Sequence, residues 1–150
     1  MTLRFREARR ADVAAIVALL SADELGRGRE SPALAPYLAA FDAMAAEPGN
    51  TIIVGEREGE IVATLQLTLI SGLSRGGARR AQIEAVRVAA HLRGEGIGAL
   101  LMAEAEARAR AAGCALIQFT SDASRERAHG FYARLGYRAT HLGFKRTLDS

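Results

Sequence analysis

Three glycines at alternate positions, Gly94, Gly96 and Gly98, interrupt the run V-R-V-A-A-H-L-R-G-E-G-I-G-A-L-L from Val86 to Leu101. The residues before them read as an apolar strand, and those after them as the first turns of an amphipathic helix. Glycine leaves backbone N–H groups uncovered, and a helix start adds orphan donors and the positive end of a dipole. Together these favour an anion, above all a phosphate. Two other side chains could do chemistry near such an anion. Glu84 is a lone carboxylate in an otherwise apolar strand, and Tyr132 carries a phenol on a helical face shared with Phe131 and Leu135.

Glycine-rich phosphate loops come in several kinds. A P-loop needs lysine and a hydroxyl after its glycines, and neither follows here. The dinucleotide pattern G-x-G-x-x-[GA] is met by Gly94, Gly96 and Ala99, with Asp122 available as a ribose acid. Against it, Ala89 to Arg93 separate the strand from the first glycine, and the chain holds a single strand–helix–strand unit. The third pattern, R-x-x-G-x-G, is met by Arg93, Gly96 and Gly98 across Arg93-Gly94-Glu95-Gly96-Ile97-Gly98.

The elements that must position these residues follow from periodicity. Leu3 to Ala8 alternates as a short strand, and Val13, Ile16, Val17 and Leu20 mark a helix from Asp12, closed by Gly26 to Gly28. Asp12 is expected in its first turn, where a carboxylate suits the dipole. Ser31-Pro32 reads as the cap of a second helix through Ala45. Strands are expected at Thr51 to Glu56 and Glu60 to Ile70 around a Glu58-Gly59 hairpin turn, then at Gln82 to Val88. Ser71 to Arg80 is expected as a loop. The helix after the glycines carries Ile97, Leu100, Leu101, Ala105 and Ala109 on its apolar side, and Gly113 closes it. Cys114 to Phe119 reads as a strand covered on both faces. A helix bearing Ala128, Phe131, Tyr132 and Leu135 follows, then strands at Tyr137 to Thr140 and Phe144 to Leu148. The order is β-α-α-β-β-β-α-β-α-β-β, an α/β (α+β mixed) architecture with a mixed sheet flanked by helices.

Bulk composition narrows the partners. A chain of 150 residues, 49% hydrophobic and 25% charged, is expected to form a single globular domain over 1–150. No apolar run reaches the ~18 residues of a membrane span, and no secretory h-region is visible, so the expectation is a cytoplasmic protein without membrane contact. A lone Cys114 suits that compartment. The net charge of +3 comes from scattered arginines, and aromatics are only 5% of residues, which argues against a nucleic-acid platform. His91, His129 and His141 show no metal-ligand spacing, so no metal is expected.

With R-x-x-G-x-G in place, a second segment completes a resemblance. A-H-G-F-Y-A-R-L-G-Y, Ala128 to Tyr137, is similar to A-x-x-x-Y-x-x-x-G-[FY] of the GNAT (GCN5-related) N-acetyltransferase superfamily. The resemblance, with its element order, covers nearly the whole chain. It implies acetyl-CoA as cosubstrate, with the pyrophosphate on Arg93, Gly94, Glu95, Gly96, Ile97 and Gly98. It further implies that Val86, Arg87 and Val88 meet the pantetheine and acetyl arm, the Val88 N–H polarising the carbonyl. Tyr132 would protonate the leaving thiolate, a phenol of pKa about 10 being a suitable donor. Glu84, expected to be partly buried, would act as general base through a water, or else pair with Arg79 or Arg80. Many members carry asparagine where this chain has Arg125, whose guanidinium either meets a CoA phosphate or faces solvent.

The implied activity is acetyl transfer to a primary amine of a small molecule or peptide. The alternative is a catalytically silent acetyl-CoA-binding sensor or interaction module. In the superfamily the acceptor is set by the loop after the first helix, here about Asp23 to Ser31, by the second helix, and by the loop before strand four. Arg75, Arg79 and Arg80 point weakly to an acceptor bearing a carboxylate. Dimerisation is common in the superfamily, so a homodimer is a further expectation.

Overall fold

The structure is a computed structural model describing residues 2–149. It divides into two compact units, Met1–Gln118 and Phe119–Ser150.

The first unit holds a five-stranded sheet in the order β1-β2-β3-β4-β5. Its strands are β1 (Leu3–Glu7), β2 (Asn50–Arg57), β3 (Glu60–Ile70), β4 (Arg79–Val88) and β5 (Cys114–Gln118). β1 to β4 pair antiparallel, and β5 joins β4 in parallel, as a strand reached through a helical crossover must. The β2–β3 turn places Glu58 at φ 52° and Gly59 at φ 79°, the positive pair that matches strand twist. Ile53, Val54, Val62, Ala63, Leu65, Leu67, Ala81 and Ile83 are buried in the sheet. Helices α1 (Val13–Ser21) and α5 (Ile97–Ala111) bury Val13, Ile16, Ile97, Leu101, Met102, Ala105 and Ala109. Leu100, expected on the apolar side of α5, is 53% exposed, and Met102 is buried instead.

Several elements differ from expectation. The first helix is two: α1 stops at Ser21, and α2 (Glu24–Arg29) contains Gly26 and Gly28 instead of ending at them. Asp23 restarts the chain, its Oδ1 accepting from Gly26 N–H at 2.7 Å. α3 runs Ala35–Ala45 with Pro36 in its first turn, so Pro32 lies outside it. The expected loop before β4 contains a single turn, α4 (Ser74–Gly77), and β4 starts at Arg79. Asp12 does more than face a dipole. It is buried, takes both guanidinium nitrogens of Arg6 at 2.7 and 3.0 Å, and accepts from Arg9 N–H. Arg6 also reaches Glu56, so one cation holds two carboxylates. β5 is only half-buried.

The second unit contains α6 (Glu126–Arg134), ended by Gly136 at φ 96°. Tyr137 N–H donates to Tyr132 O at 3.1 Å and Gly136 N–H to Ala133 O at 3.0 Å, the paired bonds of a Schellman cap. The two strands expected at Tyr137 to Thr140 and Phe144 to Leu148 do not form among the described residues. Leu142, Phe144 and Leu148 alternate with polar neighbours as strand residues do, but are 83%, 90% and 86% exposed. Alternation describes a strand's faces and supplies no partner for its edges.

Candidate active site

β4 is where the first unit opens. Its pairs with β3 run Gln66↔Glu84, then Thr64↔Arg87, so Ala85 and Val86 together face the single residue Leu65. This is a β-bulge, with Ala85 in the left-handed region at φ 54°. The extra residue shifts the side-chain alternation. Glu84 and Arg87, three apart, share one face, while Val86 and Val88 share the other with Ile83. β5 follows β4 only over Arg79–Gln82. Beyond Gln82, the edge of β4 away from β3 has no strand partner among the described residues.

That open edge presents a directed donor. Ala89 N–H donates to Val62 O at 2.8 Å, and antiparallel N–H groups alternate in direction. The Val88 N–H therefore points away from β3, into the open side. Arg87 turns its side chain elsewhere: Nε lies 2.9 Å from Asp23 Oδ2, and Nη1 donates to Val86 O at 3.0 Å.

A tight turn at Ala90–Leu92 leads from β4 to the glycine loop. Gly94 and Gly96 sit at φ 85° and 81°, and a Cβ on either would meet nothing within 4 Å. Glycine is needed here for the backbone conformation, and the space above it is open. Gly96 caps α5 with no side-chain bond, and the first helical bond is Leu100 N–H to Gly96 O at 3.2 Å. The N–H groups of Ile97, Gly98 and Ala99 thus lack carbonyl partners one turn back. Glu95, within the loop, has its carboxylate held by Arg57 Nη1 at 3.1 Å. Arg93 is exposed and forms no ion pair among the described residues. Uncapped donors, free space and an uncommitted cation fit a diphosphate.

Glu84 is exposed, contrary to the expected partial burial. It is paired with neither expected arginine: Arg79 Nη1 donates to Ala112 O at 2.8 Å, at the end of α5.

In the second unit, Tyr132 is half-buried, its ring centroid 4.4 Å from Phe119, 5.2 Å from Phe131 and 6.3 Å from Tyr137. The Schellman cap fixes its carbonyl while the aromatic cluster fixes its ring, which explains the tyrosine–glycine–aromatic spacing. Arg125 is half-buried at the start of α6 and makes no side-chain cap bond. His129 Nε2 lies 2.8 Å from Asp122 O. Among the described residues, no group of three or more His, Cys, Asp or Glu could hold a metal ion. Among the described residues, no helix is long and apolar enough to cross a membrane.

The chain belongs to a known family: residues 14–137 match the acetyltransferase (GNAT) family, spanning parts of both units. It is an acyltransferase by that membership. Over 108 residues it is 33% identical to the aminoalkylphosphonate N-acetyltransferase of Salmonella typhimurium, covering 72% of this chain and 70% of that protein. The fold superposes on a Bacillus halodurans protein described as a transcriptional regulator, with TM-score 0.94, 39% identity and coverage of 98% and 100%. A putative acetyltransferase from Agrobacterium tumefaciens gives TM-score 0.87 at 28% identity, covering 97% and 99%.

Asp23 and Arg57, both bound to residues of this site, have no chemical signature in the sequence. Asp23 carries only the pattern of a helix cap.

Proposed function

We propose that the chain is an acetyl-CoA-dependent N-acetyltransferase, one catalytic domain over 1–150, acting on a primary amine of a small molecule or peptide. The observation that carries this reading is the continuous path from the open half of β4 to the uncapped start of α5. A strand edge with outward N–H groups suits an extended amide-bearing arm, and helix N–H groups suit its diphosphate.

Acetyl-CoA, when bound, supplies an activated thioester. Val86, Arg87 and Val88 orient its arm through their backbone. The Val88 N–H donates toward the acetyl oxygen and stabilises charge developing there. Arg93, Gly94, Glu95, Gly96, Ile97 and Gly98 hold the pyrophosphate, and the Arg125 guanidinium takes a further phosphate oxygen. Glu84 accepts the proton of the ammonium through a water, and Tyr132 returns a proton to the departing sulfur. The Salmonella relative supports an acceptor with an anionic group beside its amine, and the exposed Arg27 and Arg29 in the last turn of α2 suit one. A homodimer and a cytoplasmic location belong to the same proposal, resting on the resemblance and the lone thiol.

The second reading is a catalytically silent acetyl-CoA sensor, favoured by the description of the Bacillus protein. Calorimetry with acetyl-CoA and a thiol-release assay separate the two, using aminomethylphosphonate, amino acids, polyamines and peptide amines. Binding with amine-dependent CoA release supports the enzyme. Binding without release on any amine supports the sensor, and absence of binding rejects both.

A further inference from the structure

Beyond Gln82, β4 pairs with a strand on one edge only among the described residues, and a strand with a single ladder is the more easily displaced unless a side chain tethers it. The structure contains such a tether. Asp23 Oδ1 accepts from Gly26 N–H at 2.7 Å, and Oδ2 lies 2.9 Å from Arg87 Nε. The two side chains are 21% and 10% exposed, so the pair is largely shielded from water. Its Asp23 end is rigid. A Cβ on Gly26 would stand 1.7 Å from Leu20 O, so α2 is pressed against the end of α1 at a position only glycine fits. Its Arg87 end grips β4 itself, through Nη1 to the carbonyl of Val86. The bulge sets this geometry by placing Arg87 on the opposite face from Val86 and Val88, so the tether leaves the outward N–H side clear.

We propose that Asp23 is a positioning residue for acetyl transfer, its carboxylate joining the acceptor-side helix α2 to the open half of β4 through Arg87. The proposal rests on the acetyl-transfer reading above and adds how the acceptor side and the acetyl side are kept in register. An acceptor that orders α2 thereby steadies the backbone of Val86 to Val88.

The test uses the full chain and begins with hydrogen exchange. Asp23→Asn keeps an oxygen for Gly26 N–H and removes the charge facing Arg87; Arg87→Lys keeps a cation and loses the planar fork. Amides of 24–29 and 86–88 should exchange at least about fivefold faster in Asp23→Asn and Arg87→Ala, with α5 unchanged and Arg87→Lys between. With an amine turned over by the wild type, kcat/KM of Asp23→Asn should fall about tenfold, a larger change than in its acetyl-CoA affinity. The double variant Asp23→Asn/Arg87→Ala, which keeps the oxygen for Gly26 N–H, should be no worse than Arg87→Ala alone. Unchanged exchange in Asp23→Asn overturns the tether. Faster exchange with unaltered kcat/KM overturns the positioning role, as do additive losses in the double variant. If the wild type binds no acetyl-CoA, the transfer reading fails by itself, and the exchange result still decides the tether.

Discussion

Arg57 at the end of β2 donates to Glu95 Oε1 at 3.1 Å, tying the sheet to the middle of the glycine loop. The contact neutralises the one carboxylate of the loop proposed to hold the pyrophosphate. The partners are 21% and 47% exposed, so the pair contributes little to stability. Its effect should appear in binding. Arg57→Ala leaves a bare carboxylate beside the phosphates and should weaken acetyl-CoA binding roughly fivefold, more at low salt. Glu95→Gln should bind at least as tightly as wild type, and calorimetry at two ionic strengths reads both.

Gly96 should tolerate almost nothing. Its φ of 81° costs a β-carbon about 1–2 kcal/mol, and a side chain there would project into the open space above the helix start. Gly96→Val should lower acetyl-CoA affinity at least about 100-fold, the N–H cradle being both strained and covered. Circular dichroism should still report a folded protein, since nothing packs against this position. Unchanged affinity would sink the assignment of the loop.

Tyr132→Phe keeps the ring against Phe119 and removes only the hydroxyl. Stopped-assay kcat should fall about 100-fold with acetyl-CoA affinity unaltered. A loss confined to thermal stability would return Tyr132 to a purely packing role.

Glu84 is exposed on β4, so its charge contributes little to folding. Glu84→Gln should therefore leave the melting temperature in place and lower kcat/KM about 10- to 100-fold at neutral pH. Wild-type turnover by this variant would remove the carboxylate from the proton path.

Asp12 gives the acid limb of stability. The hydrogen-bonded Arg6 guanidinium holds its carboxyl below the usual carboxylate range. A carboxyl depressed in the folded state stabilises fully above its unfolded pKa of about 3.9, and that contribution is lost as pH falls through the folded value. Urea unfolding of the wild type should thus weaken below about pH 4. Asp12→Asn should cost about 3 kcal/mol at neutral pH and flatten that limb.

Much of this was legible from the residues. Apolar alternation places β1 and β3, a continuous apolar run places β5, and the glycines place the start of α5, because these signals are local; the first residues of β4 read as loop. What escaped was long-range or conformational. Asp12 looks like a dipole partner until β1 brings Arg6 beside it. Gly26 looks like a helix terminator because nothing local reveals Leu20 O waiting where its Cβ would be. The pattern at Leu142, Phe144 and Leu148 implies a strand, yet a strand exists only where an edge accepts it. The bulge has no signature at all, since alanine is a poor choice for a left-handed backbone and Ala85 adopts one regardless.

That bulge is one residue long. Every pair that flanks it, Gln66↔Glu84 on one side and Thr64↔Arg87 on the other, would survive its deletion intact. A chain lacking Ala85 would pair β4 with β3 in unbroken register and lose the local bend that a bulge brings, with its glycine loop, arginine and tyrosine all unchanged. The course of β4 past Gln82 is thus a matter of chain length as much as of side chains: one codon separates a bent strand from a straight one.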